Sequence, residues 1–398
     1  MSGIATARQL ALRPQPSASG GIMAISADCR RRVALGETII DLSLGEPDWN
    51  TAEHIGRAAM RAIEERRTRY TPPAGLAQLR QAFIRALTAA GMRYAPREVM
   101  VTHGATGALT CAFHALLQPG DEVLIPTPYY PPYIGAIHLT GARVVTIDTT
   151  MADGFRLDTE RLRDSITPRT KLLILNTPSN PAGVVYTRAE LERIAEVVLD
   201  TGLAVISDEV YAAFSAPGSF VSIAAIDGEL ARRTLIVRSV SKTYAMTGWR
   251  VGFAAGPASW IEPMTAVQEF LFVTPSSIAQ WAALEALSGS QDAVAILANE
   301  LSSRRTLATE HLRAIDGVQM VATDAGMFLF PDLSGRVADV DAFCARLLRE
   351  DGVAVVPGSL FGVPSCIRIS LAASSADLVR GLERLARRVE SEGSWISG

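Results

Sequence analysis

The stretch Ser239-Val-Ser-Lys242-Thr-Tyr-Ala-Met-Thr-Gly-Trp-Arg250-Val-Gly252 places a lysine among serines, an arginine and a closing glycine. It continues the β-branched run 235–240, which predicts a strand that carries these polar side chains at its carboxyl end. Lysine can lose its proton and attack a carbonyl carbon, whereas arginine keeps its charge in proteins. The lysine at position 242 is therefore a candidate for covalent catalysis.

The basic residues of this chain are almost all arginine. The 398-residue sequence contains 38 basic and 41 acidic residues, for a formal net charge of −3, and only Lys171 and Lys242 are lysines. A balanced charge argues against a nucleic acid or an anionic membrane as partner, because such binding needs an excess of clustered Lys and Arg. Lysine chemistry in this chain has two candidates.

Cysteine and histidine show no metal-binding pattern. The four cysteines (Cys29, Cys111, Cys344 and Cys366) are scattered, and the five histidines form no H-E-x-x-H motif. We therefore predict no metal site and a reduced, cytoplasmic protein. No apolar run reaches the length of a membrane span, and the N-terminus lacks the apolar stretch of a signal peptide.

Short β-branched runs alternate with amphipathic stretches of helical period along most of the chain. This alternation predicts an α/β fold with a doubly wound, mostly parallel sheet. The predicted strands are 99–102, 122–125, 143–147, 171–176, 204–208, 235–240 and 251–255. Thr187-Arg-Ala-Glu190 is a capping box and predicts the start of a helix, and 290–315 predicts a long helix.

The pattern changes near both ends of the chain, where strand and helix signals become shorter. We predict three parts: an arm that also contributes to a small domain over 1–47, a large cofactor-binding domain over 48–288, and a smaller α+β domain over 289–398. The small domain would then be built from both chain ends.

Polar side chains follow several predicted strands, where a doubly wound sheet binds its ligands. The turn Gly104-Ala105-Thr106 opens a helix and suits a phosphate, Asn180 lies in a Pro- and Gly-bounded loop, and Asp208 ends a strand. Together with Lys242 they suit a Schiff base to a phosphorylated aldehyde, pyridoxal phosphate. Each feature alone also fits a plain tight turn, a helix cap or a solvated lysine.

Motifs along almost the whole chain resemble those of a known family. They are Leu44-Gly-Glu-Pro-Asp48, Arg69-Tyr70-Thr-Pro-Pro-Ala-Gly75, the Gly104 turn, Asn180-Pro-Ala-Gly183, Ser207-Asp-Glu-Val-Tyr211, the 239–252 block, Gly326-Met-Phe-Leu-Phe-Pro331, Pro357-Gly-Ser-Leu-Phe-Gly362 and Arg368-Ile-Ser. In this order they resemble the class I aminotransferases, pyridoxal-phosphate enzymes of fold type I, in the branch of bacterial aspartate and aromatic aminotransferases.

The resemblance implies a role for each catalytic side chain. Lys242 would form the Schiff base and move a proton at the substrate α-carbon, and Asp208 would pair with the pyridine nitrogen. Tyr211 and Asn180 would hydrogen-bond the phenolic oxygen of the cofactor.

The remaining cofactor contacts are implied in the same way. The phosphate would bind to Ser239, Arg250 and the helix start at Gly104, Ala105 and Thr106. Tyr130 would stack on the ring, with Tyr129 as the alternative. Tyr70 would reach the phosphate of a partner subunit, which implies a homodimer with shared active sites.

The substrate site is implied less completely. Arg368 would clamp the α-carboxylate, with the backbone of Gly45 and Asn180 beside it. Aspartate carries a second carboxylate in its side chain, the distal carboxylate. Neither Thr106 nor the segment 267–274 offers a cation for it, and this favours neutral, aromatic or amine-bearing substrates over strict use of aspartate. The residues expected to line the pocket for the substrate side chain, the distal pocket, are Trp49, Tyr133, Phe272 and Phe361. Glu269 would meet a substrate amine or be an exposed helix acid.

These implications lead to one principal expectation and two alternatives. The principal one is an aminotransferase that moves the amino group of an L-amino acid to a 2-oxo acid by a ping-pong mechanism. A lyase, by elimination or decarboxylation, or an oxidase on the same scaffold is the first alternative. A non-enzymatic protein that binds the cofactor as a regulator is the second.

Overall fold

A seven-stranded sheet lies at the centre of the protein and carries the candidate site at one edge. The computed structural model describes residues 21–323 and 325–393, so the first 20 residues of the predicted arm over 1–47 lie outside the described residues. The strands are β1 (Ile40–Asp41), β2 (Val99–Thr102), β3 (Glu122–Pro126), β4 (Arg143–Ile147), β5 (Thr170–Asn176), β6 (Ala204–Asp208), β7 (Thr234–Ser239), β8 (Gly252–Ala255), β9 (Phe328–Leu329), β10 (Val353–Ala354), β11 (Val356–Pro357) and β12 (Ile367–Ser370).

Helices cover both faces of this sheet and form much of the C-terminal part. They are α1 (Gly21–Ala34), α2 (Glu53–Glu64), α3 (Ala77–Ala89), α4 (Gly104–Leu116), α5 (Pro132–His138), α6 (Thr159–Asp164), α7 (Arg188–Thr201), α8 (Gly228–Ala231), α9 (Val240–Thr243), α10 (Ala258–Phe272), α11 (Ser277–Ser288), α12 (Asp292–Arg313), α13 (Val340–Asp351) and α14 (Ser375–Gly393). Within the described ranges, none of them is long and apolar enough to cross a membrane.

The central sheet has the strand order β2-β8-β7-β6-β5-β3-β4. The five strands from β7 to β4 run parallel, and β8 is antiparallel to both of its neighbours. The predicted doubly wound, mostly parallel sheet is confirmed. The register pairs Asn176 with Asp208 across β5 and β6, so these two side chains lie at the same carboxyl edge.

Sequence patterns predicted the seven strands of the central sheet to within one residue at each end. The capping box is present, because the Thr187 hydroxyl accepts from the Glu190 N–H at 3.3 Å while Glu190 accepts from the Thr187 N–H at 2.7 Å. The predicted strand over residues 171–176 begins one residue earlier, and Lys171 is exposed beside the buried residues 172–175.

The two ends of the described chain meet in smaller sheets. Strand β1 pairs in parallel with β10, and β11-β12-β9 form an antiparallel sheet beside α12, α13 and α14. A separate apolar core here contains Leu301, Phe343 and Leu382, all buried. This arrangement supports the proposed small domain from both chain ends, and its boundaries at 48 and 289 remain a prediction.

Candidate active site

A cavity of about 180 Å³ opens at the carboxyl edge of the central sheet. Ligands bind at this position in doubly wound folds. Its walls combine apolar side chains with amine, carboxylate, guanidinium and hydroxyl groups. They are formed by Ala105, Thr106, Leu109, Tyr130, Tyr133, Asn176, Asn180, Asp208, Val210, Tyr211, Ser239, Ser241, Lys242, Thr247 and Arg250.

Lys242 lies in the short helix α9, directly after β7. The Ser239 hydroxyl begins this helix by accepting a hydrogen bond of 3.0 Å from the Ser241 N–H. The Lys242 amine donates a hydrogen bond of 2.6 Å to the carbonyl oxygen of Gly45. Burial lowers the pKa of Lys242 to about 8, although the carboxylate of Glu46 opposes this shift. The amine therefore loses its proton closer to neutral pH than an exposed lysine does.

Asp208 ends β6 with its carboxylate almost fully buried at the cavity wall. Oδ2 accepts a hydrogen bond of 2.6 Å from the Tyr133 hydroxyl, and Oδ1 accepts one of 3.3 Å from the Val210 N–H. Burial raises the pKa of Asp208 to about 6, against the opposing effect of the Tyr133 hydrogen bond. The backbone carbonyl of Asp208 accepts from the Asn176 amide at 3.0 Å, which fixes the end of the strand.

The start of helix α4 and Arg250 form an anion site. No side chain caps the first turn of α4, so its leading N–H groups lack helical partners and suit a phosphate. Gly104 has a φ of +68°, and a Cβ atom there would lie 2.6 Å from Nη2 of Arg250. Glycine therefore allows the guanidinium to lie against the helix start. The second terminal nitrogen of the Arg250 guanidinium, Nη1, donates to the Thr247 carbonyl at 2.8 Å.

Arg368 lies in β12 and is 2% exposed. Its Nη1 donates to Oδ1 of Asn180 at 3.1 Å, and its Nη2 donates to the Ser43 carbonyl. The Nε has no hydrogen-bond partner within the described part of the chain. Burial lowers the pKa of Arg368 to about 10. A buried guanidinium with unused donor capacity is suited to bind a carboxylate in two-point contact.

Tyrosine rings form one side of the cavity. Burial raises the pKa of Tyr211, whose hydroxyl hydrogen-bonds the Asn180 side chain. Tyr130 lines the cavity and packs edge-on against Tyr133, with ring centroids 5.4 Å apart. Tyr129 is absent from the cavity wall, and its ring lies instead against Gly362. The geometry supports Tyr130 over Tyr129 as the aromatic residue that faces a ligand.

Several predicted residues lie outside the cavity wall. Gly45 contacts the site through its carbonyl, whereas Trp49 stacks on Arg304 at 4.2 Å and borders a neighbouring cavity. Tyr70 is 84% exposed on this chain. Glu269 is an exposed residue of helix α10.

The structure shows what three of the distal-pocket candidates contact. Tyr133 lines the cavity and donates to Asp208, and Phe361 is fully buried between Phe330 and Arg368. Phe272 is partly exposed beside His103, at 4.8 Å between ring centroids. Sequence patterns do not separate these positions because they report residue type and not side-chain direction.

Sequence reasoning missed several groups around the site. It did not assign Asn176, which anchors Asp208, nor Thr247, whose hydroxyl donates to Glu46. It also missed Tyr133 as the partner of Asp208. Helix α5 begins at Pro132, after Tyr130, so no helix-face spacing pointed to this role for Tyr133.

The chemistry of this cavity fits pyridoxal phosphate. Lys242 offers an amine for the aldehyde, Asp208 a buried carboxylate for the ring nitrogen, and Tyr211 a hydroxyl for the phenolic oxygen. Gly104 lets the Arg250 guanidinium approach the uncapped start of helix α4, and together they suit an anionic group. The residues present therefore supply a partner for each polar part of the cofactor.

Comparisons with known proteins match almost the whole chain. The family model for aminotransferase class I and II matches residues 37–385. The aspartate aminotransferase of Geobacillus stearothermophilus is 40% identical over 96% of this chain and 99% of its own length. The aspartate/prephenate aminotransferase of Cereibacter sphaeroides is 39% identical over 91% of this chain and 94% of its own length.

Solved structures show the same fold. The aspartate aminotransferase of Rhizobium meliloti superposes with a TM-score of 0.90 at 38% identity, over 96% of this chain and 99% of that one. The enzyme of Thermus thermophilus with maleate gives a TM-score of 0.90 at 36% identity. None of these relatives is named as a lyase or an oxidase. The chain belongs to the class I and II aminotransferases and is a pyridoxal-phosphate-dependent enzyme of amino-group transfer.

Proposed function

We propose that Lys242 carries the cofactor and that Arg368 binds the α-carboxylate of the amino acid and of the 2-oxo acid in turn. One observation carries this proposal. Lys242, Asp208 and Arg250 line a single cavity, and Arg368 donates to Asn180 in the wall of that same cavity. The cofactor groups and the substrate carboxylate would thus be held on adjoining surfaces.

Bound pyridoxal phosphate supplies an aldehyde that condenses with amines and a ring that withdraws electrons from the substrate α-carbon. The negative charge of Asp208 favours a proton on the ring nitrogen and so strengthens that withdrawal. The Lys242 amine takes and returns a proton at the α-carbon, a role that its lowered pKa suits. Tyr211 and Asn180 orient the phenolic oxygen of the cofactor.

Arg368 and Asn180 orient the substrate in this proposal. Two-point contact between a guanidinium and a carboxylate fixes direction as well as position. The aromatic rings of Phe328 and Phe361, at 4.3 and 5.1 Å, hold the guanidinium between them. The bond to be broken at the α-carbon is thereby presented to Lys242.

We infer that donors with uncharged side chains are preferred over aspartate. The cations that line the cavity are Lys242 and Arg250, and both have assigned partners in the cofactor. A second carboxylate would enter this cavity without a cation from the described part of this chain, at a cost in hydration energy. Several relatives are named for aspartate alone, so this inference separates the chain from them.

A homodimer is part of the same proposal. Tyr70 and Phe270 expose 84% and 86% of their surface on the single chain. Phe270 belongs to an exposed apolar run over residues 270–273, and contiguous exposed apolar residues mark interaction surfaces. Tyr70 would then contact the phosphate bound by the partner. A cytoplasmic location is proposed as well, and it is supported by four free, buried cysteines.

Borohydride reduction followed by peptide mass mapping tests the cofactor assignment. The cofactor should be fixed to Lys242, should remain there in Lys171→Arg, and should be lost in Lys242→Ala together with amino transfer. Attachment at Lys171 or turnover by Lys242→Ala would contradict the proposal. Formation of pyruvate and ammonia from one amino acid without an acceptor would instead identify a lyase.

A substrate panel tests the side-chain preference. The kcat/KM for phenylalanine and leucine should exceed that for aspartate and glutamate by about tenfold or more, since each uncompensated carboxylate costs more than about 1.4 kcal/mol. Equal or higher values for aspartate would show that another cation, such as one from the partner subunit, meets the distal carboxylate.

A further inference from the structure

Arg304 on helix α12 is buried, and several partners surround its guanidinium. It is 5% exposed, and Nη1 and Nη2 donate to the two oxygens of Asp48 at 3.0 and 3.2 Å. Nη1 also donates to the Leu371 carbonyl at 3.2 Å, and Nε donates to Glu300 at 3.1 Å. The face of the guanidinium stacks on the Trp49 ring at 4.2 Å.

These contacts join two segments that are distant in sequence. The first, which we call the strap, comprises residues 43–49 and includes Asp48 and Trp49. The second is the turn of Leu371 and Ala372, which directly follows β12. The Asp48 N–H also donates to the Ala372 carbonyl at 3.3 Å. Arg304 therefore holds the strap and the end of β12 in one arrangement.

The same two segments carry the polar groups around the proposed carboxylate site. The strap provides the Ser43 carbonyl to Arg368 and the Gly45 carbonyl to Lys242, and β12 provides Arg368 itself. The strap also packs closely on Phe328, because a Cβ atom on Gly45 would lie 2.5 Å from that ring. A shift of the strap relative to β12 would therefore alter the carboxylate site.

Arg304 itself does not line the cavity. We propose that Arg304 is a positioning residue for substrate binding, which fixes the strap against β12 so that Gly45 and Arg368 face the same carboxylate. This inference rests on the proposed function, since it takes the substrate α-carboxylate as the group bound by Arg368. The forked geometry is required, because a lysine at this position would offer one charged point in place of two parallel donors.

The test compares carboxylate affinity with cofactor affinity in the holoenzyme. The probes are 3-phenylpropionate and succinate, which carry a carboxylate but no amine, titrated by the absorbance of the bound cofactor. In Arg304→Met, the dissociation constants of both should rise by about tenfold or more, the effect of losing a charged hydrogen-bond pair. The dissociation constant of the cofactor should change by less than about twofold, because Arg304 touches none of its proposed partners.

A matched control accounts for loss of stability alone. Arg346→Met removes another guanidinium of the C-terminal part, which pairs with Glu392 at 2.7 Å between α13 and α14. This variant should leave the dissociation constants of 3-phenylpropionate and succinate unchanged. If Arg304→Met binds the two probes as tightly as Arg346→Met does, the positioning role is wrong.

A milder variant keeps the test valid if Arg304→Met does not fold. Asp48→Asn keeps one oxygen that can accept from the Arg304 guanidinium. The side chain of Asp48 is 34% exposed, so the substitution buries little. Its probe dissociation constants should rise by about threefold to tenfold, less than for loss of the whole guanidinium. Unchanged values in a folded Asp48→Asn protein would overturn the proposal.

Failure of the proposed function would look different. If the wild-type holoenzyme bound neither 3-phenylpropionate nor succinate, Arg368 would not be a carboxylate site at all. If the wild-type protein binds the probes and the Arg304 and Asp48 variants bind them equally well, only the positioning role fails.

Discussion

The Tyr133 hydroxyl donates a hydrogen bond of 2.6 Å to Oδ2 of Asp208, and both side chains are buried. Burial favours the neutral acid at this position, and the pKa of Asp208 is raised to about 6 even with this hydrogen bond in place. A donor to the ionised form opposes that effect. Tyr133 thereby helps to keep the negative charge that the proposed pairing with the ring nitrogen requires.

Replacing Tyr133 should change the pH dependence of cofactor binding to the apoprotein. Asp208 is charged above its pKa of about 6, so wild-type affinity should fall as the pH drops through that value. Tyr133→Phe removes the donor, raises the pKa of Asp208 by about one unit, and moves this fall to higher pH. Dissociation constants measured across this pH range check the shift. Tyr186→Phe, a buried tyrosine elsewhere, should keep the wild-type profile, and an unshifted Tyr133→Phe profile would contradict the argument.

Neutralising Glu46 should accelerate loading of the cofactor. The carboxylate of Glu46 raises the pKa of Lys242, which burial lowers to about 8, so Glu46→Gln should lower it further. More free amine is then present at pH 7, and the rate of cofactor attachment to the apoprotein should rise by about twofold to threefold. Stopped-flow absorbance measures this rate. Glu37→Gln, which removes an acid that pairs with Arg32 far from the site, serves as the control, and an equal rise there would sink the explanation.

Gly104→Ala should weaken both the fold and the phosphate site. Its φ of +68° disfavours alanine by about 1–2 kcal/mol, and the added Cβ would lie 2.6 Å from Nη2 of Arg250. The free energy of unfolding, measured by denaturant titration, should fall by this amount. The cofactor affinity should fall by about tenfold. Gly56→Ala adds a methyl group to helix α2 in open space and should stabilise by about 0.5–1 kcal/mol. Unchanged cofactor affinity in Gly104→Ala would remove this turn from the phosphate site.

Two inactive variants should restore activity when mixed, if active sites are shared. A Tyr70→Ala homodimer would lack the Tyr70 side chain in both active sites, and a Lys242→Ala homodimer would lack the Lys242 amine in both. In the heterodimer, one site would combine the intact Lys242 of one subunit with the partner's Tyr70. Unfolding and refolding the mixture should recover about a quarter of wild-type activity, the share expected from random pairing and one intact site per heterodimer. Recovery no greater than the sum of the separate variants would show that Tyr70 acts within its own chain or not at all.

Local sequence patterns were sufficient for the sheet, and the family resemblance added most of the cavity wall. Strands β5, β6 and β7 are short apolar runs whose last residues, Asn176, Asp208 and Ser239, meet at one edge because parallel strands share a direction. Lys242 could be assigned because the chain has two lysines and the other one, Lys171, lies outside the lysine block. These inferences need only residue type and strand order.

Side-chain direction and long-range pairing needed the tertiary structure. Sequence patterns name Tyr133 only as a pocket residue, whereas the structure shows that its hydroxyl donates to Asp208, 75 positions along the chain. Arg304 is one arginine among 36 in sequence, and only folding brings it to Asp48, 256 positions away. Composition and spacing determined which chemistry this protein carries. Packing decided which buried groups hold that chemistry in place, because those contacts depend on directions that no local pattern encodes.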